Sequence, residues 1–142
     1  MTTREKRPTV AGIQRELVDA VGVLLSQARS ALFITGPGVS MDSGLVMYRG
    51  IPGLLRENPE DGRLFETALS IETLRRKPEM TWKYLLRMEQ SIHAVKPNRA
   101  HSVLSEIGTK LERTAIMTVN VDRLHQRAGS KDVIEMHGAL FD

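Results

Sequence analysis

The sequence has no cysteine, few aromatic residues and no long apolar run. Because cysteine is absent from all 142 residues, neither a disulfide framework nor a thiolate-bound metal site is expected. No apolar stretch approaches the length that crosses a bilayer, and residues 1–11 lack the apolar segment of a signal peptide. We therefore expect a cytoplasmic protein with no membrane partner and no bound metal.

Charge and length restrict the function further. The net charge is only +3, and aromatic side chains make up 4% of the sequence. A surface that binds nucleic acid needs clustered basic residues or stacking aromatics, so nucleic acid is not an expected partner. The length suits one domain with its own core. We predict a frayed N-terminus over residues 1–11 and a single domain over 12–142.

Helical and extended patterns alternate along the chain. Apolar residues recur at helical spacing over 12–28, 79–95 and 98–108, and β-branched or apolar runs predict strands at 31–35, 114–120 and 132–138. This alternation indicates an α/β fold with a parallel sheet of about three strands and crossover helices. The segment 50–63 is rich in Gly, Pro, Asn and Asp and predicts a long loop. Trp82, Tyr84, Leu85 and Met88 are interpreted as core residues.

Polar residues follow each predicted strand. Gly36 to Ser40 come after the first strand, Asn120 and Asp122 after the second, and His137 after the third. The carboxyl ends of parallel strands lie at one edge of the sheet, and ligands bind there. The sequence therefore predicts a binding site at this edge.

The glycine-rich stretch has two interpretations. Gly36-Pro37-Gly38 breaks the first strand, and a helix resuming near Ser40 would present free N–H groups to a phosphate. The alternative is a strand-to-helix turn that requires glycine dihedrals. Met41 occupies the place of the third glycine in the dinucleotide fingerprint. These residues leave both interpretations open.

The other candidate residues also have a structural alternative. Asn120 and Asp122 could bind a carboxamide or a ribose, or could cap the following helix. His137 could act as a general base, or could be a packed loop histidine. Tyr48 and Arg49 could contact a heteroaromatic ring and a phosphate, or could lie in solvent. The remaining histidines, 93, 101 and 125, fit helices and are interpreted as structural or surface residues.

Four segments together resemble the sirtuin family of NAD-dependent protein-lysine deacylases. They are "GPGVSMDSGLVMYRG" (36–50), "KPNRAH" (96–101), "TVNVDRLHQRAG" (118–129) and "IEMHG" (134–138), and they stand in the family's order and spacing. The resemblance implies a partial Rossmann-like fold that holds the N-terminal portion of the catalytic domain. It also implies NAD as cofactor and an acyl-lysine protein as substrate.

The resemblance assigns roles to particular residues. Those that match the family's NAD-binding motifs are Gly36, Pro37, Gly38, Ser40, Tyr48, Arg49, Val119, Asn120 and Asp122. In the family, the acyl oxygen attacks the ribose as nicotinamide leaves, and a histidine then removes a ribose hydroxyl proton. His137 matches that histidine, and Asn120 matches an asparagine that lines the nicotinamide pocket.

The sequence departs from the family pattern beside the cofactor. Pro37 and Val119 replace an alanine and a glutamine, and Val46 and Met47 replace the residues before the aromatic–arginine pair. Proline has no N–H, so Pro37 cannot donate to a phosphate. Valine at 119 cannot hydrogen-bond a ribose hydroxyl.

Family members continue past the histidine–glycine pair into a zinc module held by four cysteines and then further strands. We expect both to be absent from this chain, which would leave an open edge on the first strand. The expected partner is therefore a C-terminal half or a second copy of the chain. The alternative to an enzyme is a non-catalytic remnant that binds nucleotide or a partner chain. Leu54 and Leu55 suggest an apolar pocket mouth that suits acetyl or longer fatty acyl groups better than acidic ones.

Overall fold

A computed structural model of the protein describes residues 10–45 and 67–140. The predicted loop at 50–63 and most of the predicted N-terminal tail lie outside these residues. In chain order the elements are α1 (Val10–Gln27), β1 (Ser30–Thr35), a 3₁₀ helix (Pro37–Ser43), α2 (Ile71–Arg76), α3 (Pro78–Ala94), α4 (Arg99–Gly108), β2 (Arg113–Thr118), α5 (Leu124–Arg127) and β3 (Val133–Glu135).

The three described strands form one parallel sheet in the order β1-β2-β3. Thr35 at the end of β1 is paired with Thr118, and Thr118 is paired with Glu135. The connections between strands contain helices, as parallel pairing requires. The predicted α/β class and parallel sheet are confirmed.

The two faces of the sheet differ in burial. On one face Ile116 is 4% exposed and Phe33 is half-buried, with α4 packed against β2. On the other face Leu32, Ile34 and Ile134 are 57%, 77% and 48% exposed. Within the part of the chain that the structure describes, no strand pairs with the free edge of β1. The predicted open edge at β1 is therefore present.

Local sequence explains where the helices begin and end. Pro78 begins α3, where its missing N–H costs no helical hydrogen bond. Asn98 caps α4 by accepting a hydrogen bond from the N–H of Ala100 at 2.9 Å. Gly129, with φ of +97°, follows α5 in the left-handed region that glycine adopts readily. These bounds agree with the predicted starts and stops within a few residues.

The interpretation of Trp82 as a core residue is wrong, and α1 shows a further exposed apolar surface. The amphipathic helix α1 leaves its apolar residues largely exposed, including Leu17, Val18, Val21 and Leu24. Trp82 is 58% exposed, because it lies on the face of α3 away from the buried Met88. Among the described residues, no helix is both long and apolar enough to span a membrane.

Candidate functional site

The carboxyl ends of the strands bring the predicted polar segments together. The equal register of Thr35 and Thr118 places the glycine loop beside the segment after β2. The loop forms a 3₁₀ helix that begins at Pro37, earlier than the predicted helix start near Ser40. A left-handed residue, Gly44, ends it with φ of +92°.

A buried hydrogen-bond network joins the loop to β2. Ser40, 2% exposed, donates to the Asp122 carboxylate at 2.6 Å. The Asn120 side-chain amide donates to the Ser40 hydroxyl and to the Gly36 carbonyl, both at 3.1 Å. Because each of these side chains has little contact with water, the bonds fix the loop's position against the strand end.

Asp122 also bonds to the backbone at the start of α5, although the N-cap residue of that helix is Arg123 and not Asp122. Its second carboxylate oxygen accepts from the N–H of Leu124 at 2.9 Å, at the start of α5. Both oxygens of the carboxylate are therefore engaged within the chain. Through these two bonds Asp122 joins Ser40 to the start of α5. Asp122 also lines the neighbouring cavity.

Asn120 has one side-chain atom without a partner. Its Oδ1 is buried and makes no hydrogen bond to any residue that the structure describes. Asn120 is 6% exposed and lines the cavity next to the loop. A buried amide oxygen is costly to leave unpaired, so this atom is suited to accept a hydrogen bond from a ligand.

The cavity beside the loop has a volume of about 960 Å³. The glycine loop and the segment after β2 contribute Pro37, Ser40, Val119, Asn120 and Asp122 to its lining, together with the exposed His137. Its apolar wall comes from α3 and its neighbours, through Leu74, Leu85, Met88, Ile92 and Leu140 among others. The volume falls in the range typical of small-molecule and cofactor sites.

The lining residues that were not predicted as site residues include an aromatic–cation pair on α3. Tyr84 and Arg87 lie on the cavity wall, and the guanidinium carbon of Arg87 is 5.8 Å from the Tyr84 ring centre. The helical repeat of α3 correctly grouped Tyr84, Leu85 and Met88 on one face. That face lines a cavity, however, and among these three only Met88 is buried, at 8% exposed, while Tyr84 and Leu85 are half-buried.

Two buried histidines lie behind the site. His101 and His125 are 0% and 1% exposed, with ring centres 4.9 Å apart. The Nε2 of His125 is 2.9 Å from the Thr35 hydroxyl, and the Nδ1 of His101 accepts from the N–H of Asn98 at 3.3 Å. Both fit the structural role interpreted from sequence, whereas His93 is a surface residue.

Burial decides the charge state of these two histidines. Burial lowers the pKa of His101, and the nearby Asp122 carboxylate opposes this with a smaller effect. Burial also lowers the pKa of His125, the neighbouring His101 lowers it further, and Asp122 again opposes. Both imidazoles are therefore neutral near pH 7.

Several residues named in the sequence analysis are not among those that the structure describes. Tyr48 and Arg49, with Leu54 and Leu55, lie outside the described residues. Within residues 10–45 and 67–140, no three His, Asp or Glu side chains are grouped as metal ligands.

A parallel α/β domain with a glycine loop and a polar cavity at its strand ends defines the nucleotide-binding class of folds. The Sir2 family model matches residues 36–142. The chain belongs to the Sir2, or sirtuin, family.

Similar proteins support this assignment. NAD-dependent protein deacylase 2 of Pseudomonas aeruginosa is 38% identical over 125 residues, which are 87% of this chain and 49% of that protein. Its namesake in Pseudomonas syringae pv. tomato is 42% identical over 118 residues, or 82% and 48% of the two chains. The chain thus spans about half the length of the curated relatives it matches.

Solved structures agree. A structure described as addressing the mechanism and regulation of Sir2 enzymes matches with a TM-score of 0.72 at 32% identity, over 88% of this chain and 47% of that one. A Sir2 homologue in complex with NAD matches with a TM-score of 0.69 at 32% identity, covering 85% and 45%. The predicted sirtuin-like fold is confirmed.

Proposed function

We propose that the chain forms the part of an NAD-dependent protein deacylase that holds nicotinamide and the catalytic histidine. The observation that carries this proposal is the unpaired, buried Oδ1 of Asn120 on the wall of a cofactor-sized cavity. His137 lies on the same cavity. These residues fit NAD, because its carboxamide and ribose hydroxyls can donate to the Asn120 oxygen.

When bound, NAD supplies an electrophilic ribose carbon and accepts the acyl group as nicotinamide leaves. In the proposal, Asn120 orients the nicotinamide end through Oδ1 while its Nδ2 keeps the loop in place. His137 would remove a ribose hydroxyl proton, and the Gly36–Ser40 loop would hold the pyrophosphate. The apolar wall from α3 excludes water from the acyl-lysine.

Two features oppose full cofactor binding by this chain alone. Pro37 removes one N–H from the loop, and Val119, 41% exposed on the cavity, offers no hydrogen bond. These residues favour the alternative of a non-catalytic sirtuin remnant. The alternative predicts a folded chain that neither binds NAD nor releases nicotinamide.

Two measurements separate these two functions. The first is calorimetric titration of the purified chain with NAD, and the second is chromatography for released nicotinamide after an acetyl-lysine peptide is added. Binding that Asn120→Ala weakens, and nicotinamide release that His137→Ala abolishes, would support the enzyme. A folded chain without binding would favour the remnant. Asp42→Asn is the control. Asp42 is an exposed residue, so its substitution should change neither NAD binding nor nicotinamide release.

A second substrate class is favoured by Arg87. Most of the α3 side of the cavity wall is apolar, and its polar residues are Arg87 with Tyr84, Thr81 and Ser91. A guanidinium pairs with carboxylates, so an acyl group that ends in a carboxylate, such as succinyl, would be held there. We therefore propose testing succinyl-lysine beside acetyl-lysine peptides. Arg87→Met should reduce turnover of the succinyl peptide selectively, and equal effects on both would exclude this role.

A partner is proposed for the open side of the sheet. Leu32 and Ile34 are exposed beside the free edge of β1, and the chain covers about half of its relatives. A polypeptide equivalent to the unmatched half of those relatives is the proposed occupant, with self-association as the alternative. Mixing with the separately expressed C-terminal half of the Pseudomonas aeruginosa protein, followed by sedimentation velocity, distinguishes a mixed complex from self-association and from no association.

A further inference from the structure

Asn98 contacts both ends of the glycine loop from behind the site. Its Nδ2 donates to the Val39 carbonyl at 2.7 Å and to the Ser43 hydroxyl at 3.1 Å. Val39 lies near the start of the 3₁₀ helix and Ser43 is its last residue. One side-chain amide therefore ties the whole short helix to the start of α4.

We propose that Asn98 is a positioning residue that sets the geometry of the glycine loop for its ligand. The ligand in this proposal is the cofactor of the proposed function, on which this part of the inference rests. Asn98 is not among the residues that line the cavity, so it acts through the loop and does not contact the ligand.

The loop depends on such a tie. A 3₁₀ helix has poor hydrogen-bond geometry, and Gly36 at its N-terminus provides no side-chain cap. Asn120 and Asp122 hold the loop only from the β2 side, through Gly36 and Ser40. Asn98 supplies the opposing contact from α4. Without it, the segment from Val39 to Ser43 is anchored on one side only.

Asn98 also caps α4, and the two roles use different atoms. Oδ1 accepts from the N–H of Ala100, whereas Nδ2 makes both contacts with the loop. The backbone N–H of Asn98 in turn donates to Nδ1 of His101. A substitution that keeps an acceptor but removes the donors therefore separates capping from positioning.

Asn98→Asp is that substitution, because aspartate is among the best N-caps and has no N–H to donate. Asn98→Ser is a neutral version, since serine also caps but cannot reach Val39 and Ser43 together. Ser70→Ala is the matched control. It removes the cap of α2, where Ser70 accepts from the N–H of Thr73 at 3.1 Å, and leaves the loop untouched.

The test is amide hydrogen exchange over residues 36–45 without ligand, followed by calorimetric NAD affinity. We expect Asn98→Asp and Asn98→Ser to keep protection in α4 while exchange of the loop rises by about tenfold, given two lost hydrogen bonds. NAD affinity should fall by a similar factor. Ser70→Ala should leave both unchanged.

Loop exchange equal to that of the wild type in both Asn98 variants would overturn the proposal. If Asn98→Asp unfolds, Asn98→Ser decides the question. A wild-type chain that does not bind NAD would count against the proposed function. The exchange result would still decide the role of Asn98, so the two failures are distinguishable.

Discussion

Ser40 donates a hydrogen bond of 2.6 Å to the carboxylate of Asp122, although 82 residues separate them in the chain. The bond joins the loop after β1 to the turn after β2. It is also the point at which the glycine loop acquires a fixed place relative to Asn120, whose amide donates to the same hydroxyl. Local sequence alone determines neither contact.

Removal of this bond should destabilise the fold. We expect Ser40→Ala to lower the free energy of unfolding by about 1–3 kcal/mol, because a buried carboxylate oxygen and the Asn120 amide would lose a partner. Urea denaturation measures the change. Asp42→Asn, at an exposed position next to the last residue of the 3₁₀ helix, should alter stability by less than about 0.5 kcal/mol. Equal effects of the two substitutions would contradict the buried network.

Stability should fall as the solution is made acidic, because of His101 and His125. Burial lowers the pKa of both, so the folded state resists protonation while the unfolded histidines protonate near pH 6.5. Below about pH 6.5 the unfolded state binds more protons, and the free energy of unfolding decreases until the pH reaches the lowered folded pKa values. Above about pH 6.5 the two histidines are mostly neutral in both the folded and the unfolded state, so their protonation no longer lowers the free energy of unfolding. Urea midpoints between pH 5 and 8 measure it.

A surface histidine is the control for this pH dependence. His93 has a side chain that is 71% exposed, and His93→Gln controls for the general effect of removing an imidazole. His125→Asn should reduce the slope, even though the variant is less stable at every pH. A slope that remains after His101 and His125 have each been replaced would assign the effect to other groups.

Val119 offers a gain-of-function test of the cofactor site. Val119→Gln introduces the amide that the resemblance implies at this position, and in the proposed NAD site a new hydrogen bond to a ribose hydroxyl should raise NAD affinity about two- to tenfold. The backbone bond from the N–H of Val119 to the Thr35 carbonyl does not involve the side chain. Val119→Leu should give no gain. Calorimetry compares the NAD affinity of the wild type and the two variants. A gain in affinity with Val119→Leu would assign the effect to packing and not to a new hydrogen bond.

Gly129 and Gly38 form a matched pair for backbone strain. At Gly129, φ is +97° and an added Cβ would approach the Ser105 hydroxyl at 3.1 Å. Gly129→Ala should therefore cost about 1–2 kcal/mol of stability. At Gly38 an added Cβ meets nothing within 4 Å and φ is not in the left-handed region. Gly38→Ala should be neutral or slightly stabilising. Thermal denaturation distinguishes the two.

The sequence predicted the elements, and the meeting of the polar segments at one sheet edge, from local patterns. Helix periodicity, the Asn98 cap and the Gly129 stop are all properties of neighbouring residues. The grouping of loop, Asn120 and His137 followed from parallel strands whose carboxyl ends lie at one edge.

Burial and polar pairing were not predictable in the same way. Trp82 has the apolar character of a core residue, yet whether a helix face meets solvent depends on distant segments. The two bonds from Asn98 to the loop span 55 and 59 residues of chain. No local pattern marks such partners, and the same is true of the contact between His101 and His125.

The pairing of β1 with β2 has a consequence for how the protein folds as it is synthesised. Ser30 pairs with Arg113, so 83 residues must follow the start of β1 before its partner strand begins. At ribosomal rates of about 5–20 residues per second, β1 leaves the ribosome roughly 4–17 s before β2 exists. During that interval Leu32 and Phe33 have no sheet to join. The nascent chain is therefore most exposed to chaperones, and to misassembly, at the strand that later positions the glycine loop.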